Sequence, residues 1–416
     1  MLGGMDQVRA AVVLTEALAA GHLGEEQPLA LFVDFSALDH QLAALRAAFP
    51  SGTLHALAIK ACPVAGVLKR AIEAGFGLEA ASRVELELAL RLVEPARIVF
   101  DSPAKTPGEI ARALRAGVGL NVDNLQELAR VAALGPTPGV GLRVNPGVGL
   151  GAIAETSTAY AGSKFGVDLG LHRAEVIAAF CRHPWLTGLH VHVGSQGCTP
   201  DLLAAGAAAL AGLADEIAAA GGRVEAIDIG GGLPVDYARE EEAPAFAAYA
   251  AALGRAAPAL LSGRWRLVTE FGRHVFARAG WVASRVEYTK RSGERRIAVI
   301  HAGADLFLRQ VLCPEAWSLR IGVHGPDGRP KPGVPEPWDI AGPLCFSGDL
   351  LARGRALPPI EPGDFVVVHD AGAYTLALWS RYNSRLSPAV LAHGPEGLTV
   401  LRRAESVDEV LRFWGL

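Results

Sequence analysis

Short apolar segments alternate with helical segments rich in Ala, Leu and Glu from Leu29 to about Val268. The apolar segments lack a polar face, as parallel strands do when helices cover both sides of a sheet. This alternation predicts an α/β fold, and about eight strand–helix units suit a closed (β/α)8 barrel of the TIM type. A doubly wound open sheet is the competing interpretation. The predicted strands cover residues 29–33, 54–59, 98–100, 119–122, 140–144, 186–193, 226–229 and 266–269, and the predicted helices cover residues 64–74, 83–92, 107–116, 124–133, 173–182, 201–220 and 243–256.

The pattern changes after Arg273, where β-like segments with Gly and Pro punctuation become dominant. Residues 318–339 are rich in Gly and Pro and predict a loop or insertion. Ser406 predicts the N-cap of a short last helix that ends at Phe413. The predicted strands of this β domain cover residues 281–289, 296–301 and 365–370.

The length of 416 residues suggests two or three domains. We expect a barrel at residues 29–272 and a β-rich domain at residues 1–28 and 273–416. Hydrophobic residues make up 50% of the chain, which is too apolar for disorder. The formal net charge of −4 and the dispersed basic residues argue against a nucleic-acid surface.

No apolar run in the sequence reaches the length of a membrane span, so we expect a cytoplasmic protein with no membrane partner. The five cysteines are odd in number and contain no CxxC pair. This pattern predicts neither a disulfide framework nor a structural zinc site, and we predict no metal site elsewhere.

Lys60 ends the apolar segment that begins at Leu54. Side chains at the carboxyl ends of barrel strands point into the mouth where active sites are built. Burying an ammonium group without a partner is costly, and a desolvated lysine can form a Schiff base with a carbonyl. A lysine that merely snorkels at a strand end is the structural alternative.

Two histidines lie on one face at the end of another predicted strand, because His190 and His192 are two residues apart. With a third ligand they could bind a metal. Alternatively, His192 could lie flat above a cofactor ring while Ser195 reaches a phosphate. A histidine that belongs only to the core remains the structural alternative.

Two glycine-containing segments follow the last predicted strands of the barrel. Gly230–Gly232 would let backbone N–H groups approach an anion, although the spacing matches no dinucleotide loop. Glu270 could bind a protonated ring nitrogen, while Gly272 and Arg273 could hold a phosphate or carboxylate. A plain loop and a Glu–Arg pair at a domain boundary are the structural alternatives. The common position of these sites at strand carboxyl ends favours function.

The chain resembles the pyridoxal-phosphate-dependent decarboxylases of the alanine-racemase fold (fold type III), the family of diaminopimelate and ornithine decarboxylases. The resemblance runs from about Leu29 to Arg385 and is closest to the motifs of diaminopimelate decarboxylase. The matching motifs, in order, are Ala58-Ile59-Lys60-Ala61, Glu79-Ala80-Ala81-Ser82, Arg143-Val144-Asn145-Pro146, Ser163-Lys164-Phe165-Gly166, His190 to Gln196, Gly230 to Gly232, Glu270 to Arg273, Arg309, Cys345 to Asp349 and Asp370 to Tyr374.

The resemblance implies pyridoxal 5'-phosphate (PLP) as cofactor. Lys60 would attach it covalently, His192 would stack on its ring and Glu270 would keep the ring nitrogen protonated. The residues that the resemblance places around the phosphate are Ser195, Gly231, Gly232, Gly272, Arg273 and Tyr374.

The resemblance also implies α-decarboxylation of an amino acid in a homodimer with shared active sites. Cys345, supplied by the partner subunit, would return a proton to the α-carbon. Arg309 would hold a substrate carboxylate, with Arg273 and Tyr374 beside the substrate.

Several positions depart from the family pattern at the substrate end. Phe346 stands where diaminopimelate decarboxylases usually have a glutamate that reads the distal amino group of the substrate. We therefore hypothesise a substrate without a free distal amine at that point, such as a modified amino acid of specialised metabolism. The other departures are Leu57, Cys62, Phe271, His301 and Cys313.

Three alternatives remain open. They are an authentic meso-diaminopimelate decarboxylase of lysine biosynthesis, an amino-acid racemase of the same fold, and a non-catalytic PLP-binding protein. Cys345 and Glu270 favour decarboxylation, because a racemase of this fold would pair the ring nitrogen with arginine and lack the cysteine motif.

Overall fold

The computed structural model describes residues 5–135, 139–239 and 244–416. Residue 243, the expected first residue of a helix, lies outside these ranges. The helices are α1 (Met5–Ala19), α2 (Phe35–Ala48), α3 (Ala65–Glu73), α4 (Arg83–Leu92), α5 (Pro107–Ala116), α6 (Leu125–Ala133), α7 (Leu169–Arg182), α8 (Pro200–Ala219), α9 (Phe246–Ala256), α10 (Arg273–Phe276), α11 (Ala304–Leu312) and α12 (Val407–Phe413).

The strands alternate with these helices in the first two thirds of the chain and follow one another more closely afterwards. They are β1 (Leu29–Asp34), β2 (Leu54–Ala58), β3 (Gly77–Ala80), β4 (Ile98–Asp101), β5 (Gly119–Val122), β6 (Val140–Asn145), β7 (Val167–Asp168), β8 (Leu186–His190), β9 (Ala226–Asp228), β10 (Arg266–Thr269), β11 (Gly280–Ser292), β12 (Arg295–Ile300), β13 (Ile321–His324), β14 (Glu336–Ala341), β15 (Leu350–Leu357), β16 (Phe365–Val368), β17 (Ala389–Gly394) and β18 (Gly397–Arg402).

Within the described residues, eight parallel strands close into a barrel in the order β2, β3, β4, β5, β6, β8, β9 and β10. The ring closes because β10 pairs with β2, and the two-residue strand β7 adds to β6 on the outside. The barrel belongs to a compact unit that runs from His40 to Val235 and resumes up to Val275. The predicted (β/α)8 barrel is confirmed, and the doubly wound sheet is excluded.

Local capping explains why several helix ends agree with the sequence analysis. The Ser82 side chain accepts a hydrogen bond from the N–H of Glu85 at the start of α4. Thr106 and Glu109 form a reciprocal capping box at α5, and Gly117 ends that helix with a left-handed φ of 73°. Helices α4 and α5 therefore have the predicted bounds.

One predicted barrel strand is wrong, and one real barrel strand was not predicted. The segment at 29–33 becomes β1, which pairs with β11 and β17 in the other sheet, so the barrel unit begins later than residue 29. Its place in the barrel is taken by β3, which lies between β2 and β4. The pattern of apolar and polar residues does not distinguish the two strands, because both are buried on both faces.

The second unit contains a mostly antiparallel sheet in the order β15, β14, β12, β11, β1, β17 and β18. Strand β16 pairs with β11 and β13. The expectation of a loop at 318–339 is wrong in part, because β13 and the first residues of β14 lie within it. His324 at the end of β13 is fully buried, which a solvent-exposed loop would not provide. The predicted β domain and the cap of α12 by Ser406 are confirmed.

Helix α8 is 20 residues long and apolar enough to cross a membrane by length and composition alone. Asp201, Asp215 and Glu216 interrupt its apolar residues, so the expectation about apolar runs is not contradicted by α8. Leu203, Leu210 and Leu213 are buried within the barrel unit. A core helix of a soluble protein passes the same test, so this helix is weak evidence for a membrane span.

Candidate active site

Polar side chains gather at the carboxyl ends of the barrel strands, where a closed parallel barrel brings them together. Lys60 lies in a short 3-10 turn directly after β2, and Glu79 is in β3. Two further strands end in buried residues with titratable side chains, β4 in Asp101 and β8 in His190. Glu270 follows β10 directly and is also buried.

Lys60 forms a hydrogen-bonded ion pair with Glu79. The lysine side chain is 38% exposed, whereas the glutamate is fully buried. Burial raises the pKa of Glu79 to about 8, although the lysine opposes this effect. The pair holds the amino group at the mouth of the barrel while leaving it accessible. Glu79 belongs to one of the matching sequence motifs, but the sequence analysis did not predict it as a site residue.

His192 is held as a neutral ring. Its Nδ1 accepts a hydrogen bond from the N–H of Gly231 at 3.2 Å, which requires an unprotonated nitrogen. Burial and the nearby guanidinium of Arg143 lower the pKa of His192 to about 3. The ring is therefore fixed by the glycine segment after β9.

Ser195 and Arg273 are brought together from different strands of the barrel. The Arg273 Nε donates to the Ser195 Oγ at 3.2 Å. Gly272 packs closely against Ala61, since a Cβ on Gly272 would lie 2.8 Å from the Cβ of Ala61. Gly232 has a left-handed φ of 100°, and a Cβ on it or on Gly231 would overlap a backbone carbonyl oxygen. The glycines are required by close packing of these loops.

His190 lies between two carboxylates at the centre of the mouth. Its Nδ1 is 3.6 Å from Asp101 Oδ2, and its Nε2 is 3.5 Å from Glu270 Oε2. Arg143 Nη1 lies 3.5 Å from the same oxygen of Asp101. Burial alone would raise the pKa of Glu270, but His190 and Lys60 bring it well below its ordinary value.

The ligand atoms of Asp101, His190 and Glu270 all lie within 4.8 Å of one another. The sequence analysis considered a metal at His190 with His192, whereas the groups that converge on His190 are Asp101 and Glu270.

A cavity of about 400 Å³ lies at the opposite, amino-terminal end of the barrel. It is lined by glycines such as Gly119, Gly141 and Gly188, together with Asn121 and Asp228. Asn121 and Asp228 already bind each other, with Asn121 Nδ2 donating to Asp228 Oδ2 at 3.3 Å. Lys60, His192 and Arg273 do not line this cavity.

In the second unit, Arg309 is placed between two aromatic rings. Its guanidinium carbon lies 4.8 Å from the ring centroid of Tyr374 and 5.2 Å from that of Trp317. Tyr374 has a left-handed φ of 56°, an uncommon backbone conformation for a tyrosine. These two cation–π contacts restrict the orientation of the guanidinium.

Cys345 and Phe346 lie in an exposed loop of the same unit. The Cys345 N–H donates to Asn383 Oδ1 at 3.0 Å, and the Tyr382 hydroxyl donates to the Cys345 carbonyl at 3.4 Å. Phe346 is 40% exposed and meets the Tyr382 ring edge-on, with centroids 6.4 Å apart. The backbone of the loop is anchored while the two side chains remain accessible.

Asp349 ties this loop to the helix that carries Arg309. Its carboxylate accepts hydrogen bonds from the N–H of Ala304 at 2.7 Å and of Leu344 at 2.8 Å. The side chain is almost fully buried. Gly303 and Gly342 leave the space it needs, because a Cβ at either position would overlap the carboxylate. This anchoring residue was not predicted as a site residue.

We expect Asp349→Asn to destabilise the protein by about 2 kcal/mol, because one charge-assisted hydrogen bond is lost and an amide N–H₂ faces a backbone N–H. Chemical denaturation measures the change. The matched control is Asp201→Asn, whose side chain is exposed and pairs with Arg255 at the surface, and its cost should be within about 0.5 kcal/mol. Equal costs for the two variants would contradict the anchoring role.

Residues 36–277 match the family described as "Pyridoxal-dependent decarboxylase, pyridoxal binding domain". The chain is 36% identical over 363 residues to the diaminopimelate decarboxylase of Pseudomonas aeruginosa, covering 85% of this chain and 84% of that protein. It is 32% identical over 366 residues to that of Methanothermobacter thermautotrophicus, covering 85% and 83%. The solved diaminopimelate decarboxylase from Helicobacter pylori complexed with L-lysine superposes with a TM-score of 0.84 at 27% identity, covering 96% of this chain and 98% of that one.

Proposed function

Since the chain belongs to the pyridoxal-dependent decarboxylases, we propose that it removes the α-carboxyl group of meso-diaminopimelate. The family assignment makes it a PLP-dependent carboxy-lyase. The substrate proposal is supported by relatives that carry the name diaminopimelate decarboxylase over 85% of this chain. Decarboxylation is supported by the presence of both Lys60 and Glu270 at the same barrel mouth. A racemase of this fold would have an arginine, not a glutamate, at the ring nitrogen.

The barrel mouth fits PLP on its own geometry. The Oε1 atom of Glu270 is buried and has no hydrogen-bond partner among the described protein atoms. A lone acceptor on an ionised carboxylate suits a protonated ring nitrogen. The accessible amino group of Lys60 suits covalent attachment of the aldehyde carbon. When bound, PLP acts as an electron sink for the electron pair that the departing carbon dioxide leaves behind.

The chain's own residues would then act as follows. Lys60 holds the cofactor, and its pairing with Glu79 keeps the amino group directed at the mouth. The neutral ring of His192 covers the pyridine face without adding a positive charge. Ser195 and Arg273, with the N–H groups of Gly232 and Gly272, supply donors for the phosphate, while the Gly231 N–H is used to hold His192.

We propose that the substrate end is built by the second unit of a partner subunit in a cytoplasmic homodimer. Cys345 would return the proton to the α-carbon, and its exposed position in a well-anchored loop is consistent with this role. Arg309 would bind a substrate carboxylate beside Tyr374.

Two measurements test the assignment. Purified protein given PLP should show the visible absorbance of lysine-bound cofactor, and carbon dioxide release should be highest with meso-diaminopimelate across a panel of amino acids. A protein without bound cofactor would disprove the whole proposal, whereas preference for another amino acid would disprove only the substrate.

A second candidate rests on Phe346, which cannot form an ion pair with a distal ammonium group. The alternative substrate would be an amino acid whose tail is acylated or otherwise modified. The relatives give this alternative no support, so it stays a hypothesis carried by one residue and its aromatic neighbour Tyr382.

We expect Phe346→Glu to raise kcat/KM for meso-diaminopimelate by roughly tenfold to a hundredfold if the wild type prefers a modified tail, because a charge-assisted hydrogen bond is gained. If meso-diaminopimelate is the native substrate, the gain should be smaller than about threefold. Phe346→Gln, which is similar in size and uncharged, is the control for the charge.

A further inference from the structure

His190 has no role in the proposed chemistry, yet it occupies the centre of the barrel mouth. It is fully buried and faces carboxylates from three strand ends. Asp101 at the end of β4 approaches Nδ1, and Glu270 after β10 approaches Nε2. Asp228 ends β9, and burial together with the nearby charge of Glu270 raises the pKa of Asp228 well above its ordinary value.

The arrangement decides which form of the ring fits. A neutral imidazole has one N–H and one lone pair, so one of its nitrogens would direct a lone pair at a carboxylate oxygen. Neither nitrogen has another hydrogen-bond partner among the described residues. Only the doubly protonated ring presents an N–H to both Asp101 and Glu270.

We propose that His190 is a positioning residue, held as an imidazolium between Asp101 and Glu270, that keeps Glu270 ionised and oriented for the cofactor's ring nitrogen. The inference rests on the proposed role of Glu270. Burial acts against the protonation of His190, but Asp101, Glu270 and Asp228 outweigh it and raise its pKa to about 9. Two other groups lie near this cluster: Arg143 approaches the same oxygen of Asp101 that faces His190, and His192 is neutral.

The same barrel provides two internal references. His192 accepts a hydrogen bond at Nδ1 and is neutral. His55, on strand β2, contacts Thr269 Oγ1 at 2.8 Å, and burial with the nearby Arg46 lowers its pKa to about 4. Three histidines of one barrel are thus expected to differ in charge at neutral pH.

The first test uses the wild-type protein freed of cofactor. Nitrogen-15 NMR of the histidine rings at pH 7.5 should find both nitrogens of His190 protonated, while His55 and His192 remain neutral. A neutral His190 would overturn the proposal, and this result does not depend on the enzyme's activity or on any variant being folded. A stoichiometric divalent metal bound to wild type and lost in His190→Gln would also overturn it.

The second test asks whether the charge acts on Glu270. In His190→Gln, Asp101 and Glu270 oxygens within 4.8 Å of each other lose their shared cation, so one carboxyl takes up a proton. The ring nitrogen of bound PLP, observed with nitrogen-15 label, should shift towards its unprotonated form, and cofactor affinity should fall roughly tenfold or more.

Adding Asp101→Asn to His190→Gln removes the repulsion between the carboxylates of Asp101 and Glu270. We expect this double variant to regain most of the affinity for PLP and the signal of the protonated PLP ring nitrogen. A merely structural role for His190 would give no such recovery, because two substitutions would disturb the packing more than one. His55→Gln should leave the ring signal unchanged. A wild-type protein that binds no PLP would disprove the proposed function, whereas a protonated ring in both wild type and His190→Gln would disprove only this inference.

Discussion

Lys60→Ala is expected to eliminate the visible absorbance of bound PLP and to lower the rate of carbon dioxide release by roughly a thousandfold or more. The covalent attachment point is removed, and no other described lysine ends a barrel strand next to Glu270. The substitution should leave the fold intact. Burial already raises the pKa of Glu79 to about 8, so this carboxyl can take up a proton once its cation is gone.

Lys105 is the control because it is a lysine of the same barrel that pairs with a glutamate, although unlike Lys60 it is buried. It pairs with Glu127 at 3.0 Å and donates to the carbonyl of Asn121 at 2.9 Å. Lys105→Met should cost about 3–5 kcal/mol of stability, since a buried carboxylate loses its partner, while the folded fraction keeps the absorbance band. The opposite pattern, with Lys105→Met losing the band and Lys60→Ala losing stability, would contradict the assignment of the two lysines.

The fold could be predicted because its units repeat and its helix ends are marked by caps. Ser82 and the Thr106–Glu109 pair fix the starts of α4 and α5 locally. The strand count reached eight through two compensating errors, β1 included and β3 omitted. Strand β1 lies between β11 and β17 in the other sheet, yet it is buried along almost its whole length. Strand β3 is four residues long with a buried glutamate. Periodicity cannot separate these cases.

The site was predicted through motifs, and the residues missed are those whose role depends on barrel closure. Asp101 and Asp228 each end an apolar strand, as Lys60 follows one, so the local signal was present. The sequence does not show that β4 and β10 place their carboxylates on opposite sides of one histidine. Likewise, Asp349 was visible in a motif, but its anchoring of α11 depends on contacts with residues 45 positions away.

In the proposed homodimer, the two halves of each active site come from different subunits. Lys60 and Glu270 belong to the barrel unit, whereas Cys345 belongs to the other unit. If each active site combines the barrel unit of one subunit with Cys345 of its partner, then Lys60→Ala and Cys345→Ala inactivate different halves. Each variant alone should retain less than about 1% of the activity, since covalent catalysis or proton return is lost.

Mixing the two inactive variants under conditions that exchange subunits should restore roughly a quarter of the wild-type activity. About half of the dimers are then hybrids, and each hybrid holds one site with both residues intact. The control mixture of Lys60→Ala with Glu270→Gln should regain nothing, because both residues lie in the same unit and every hybrid site lacks one of them. Only residues from different halves of the site can complement each other. No recovery in the mixture of Lys60→Ala with Cys345→Ala, or recovery in the control mixture, would therefore contradict the proposal that Cys345 completes the partner's site.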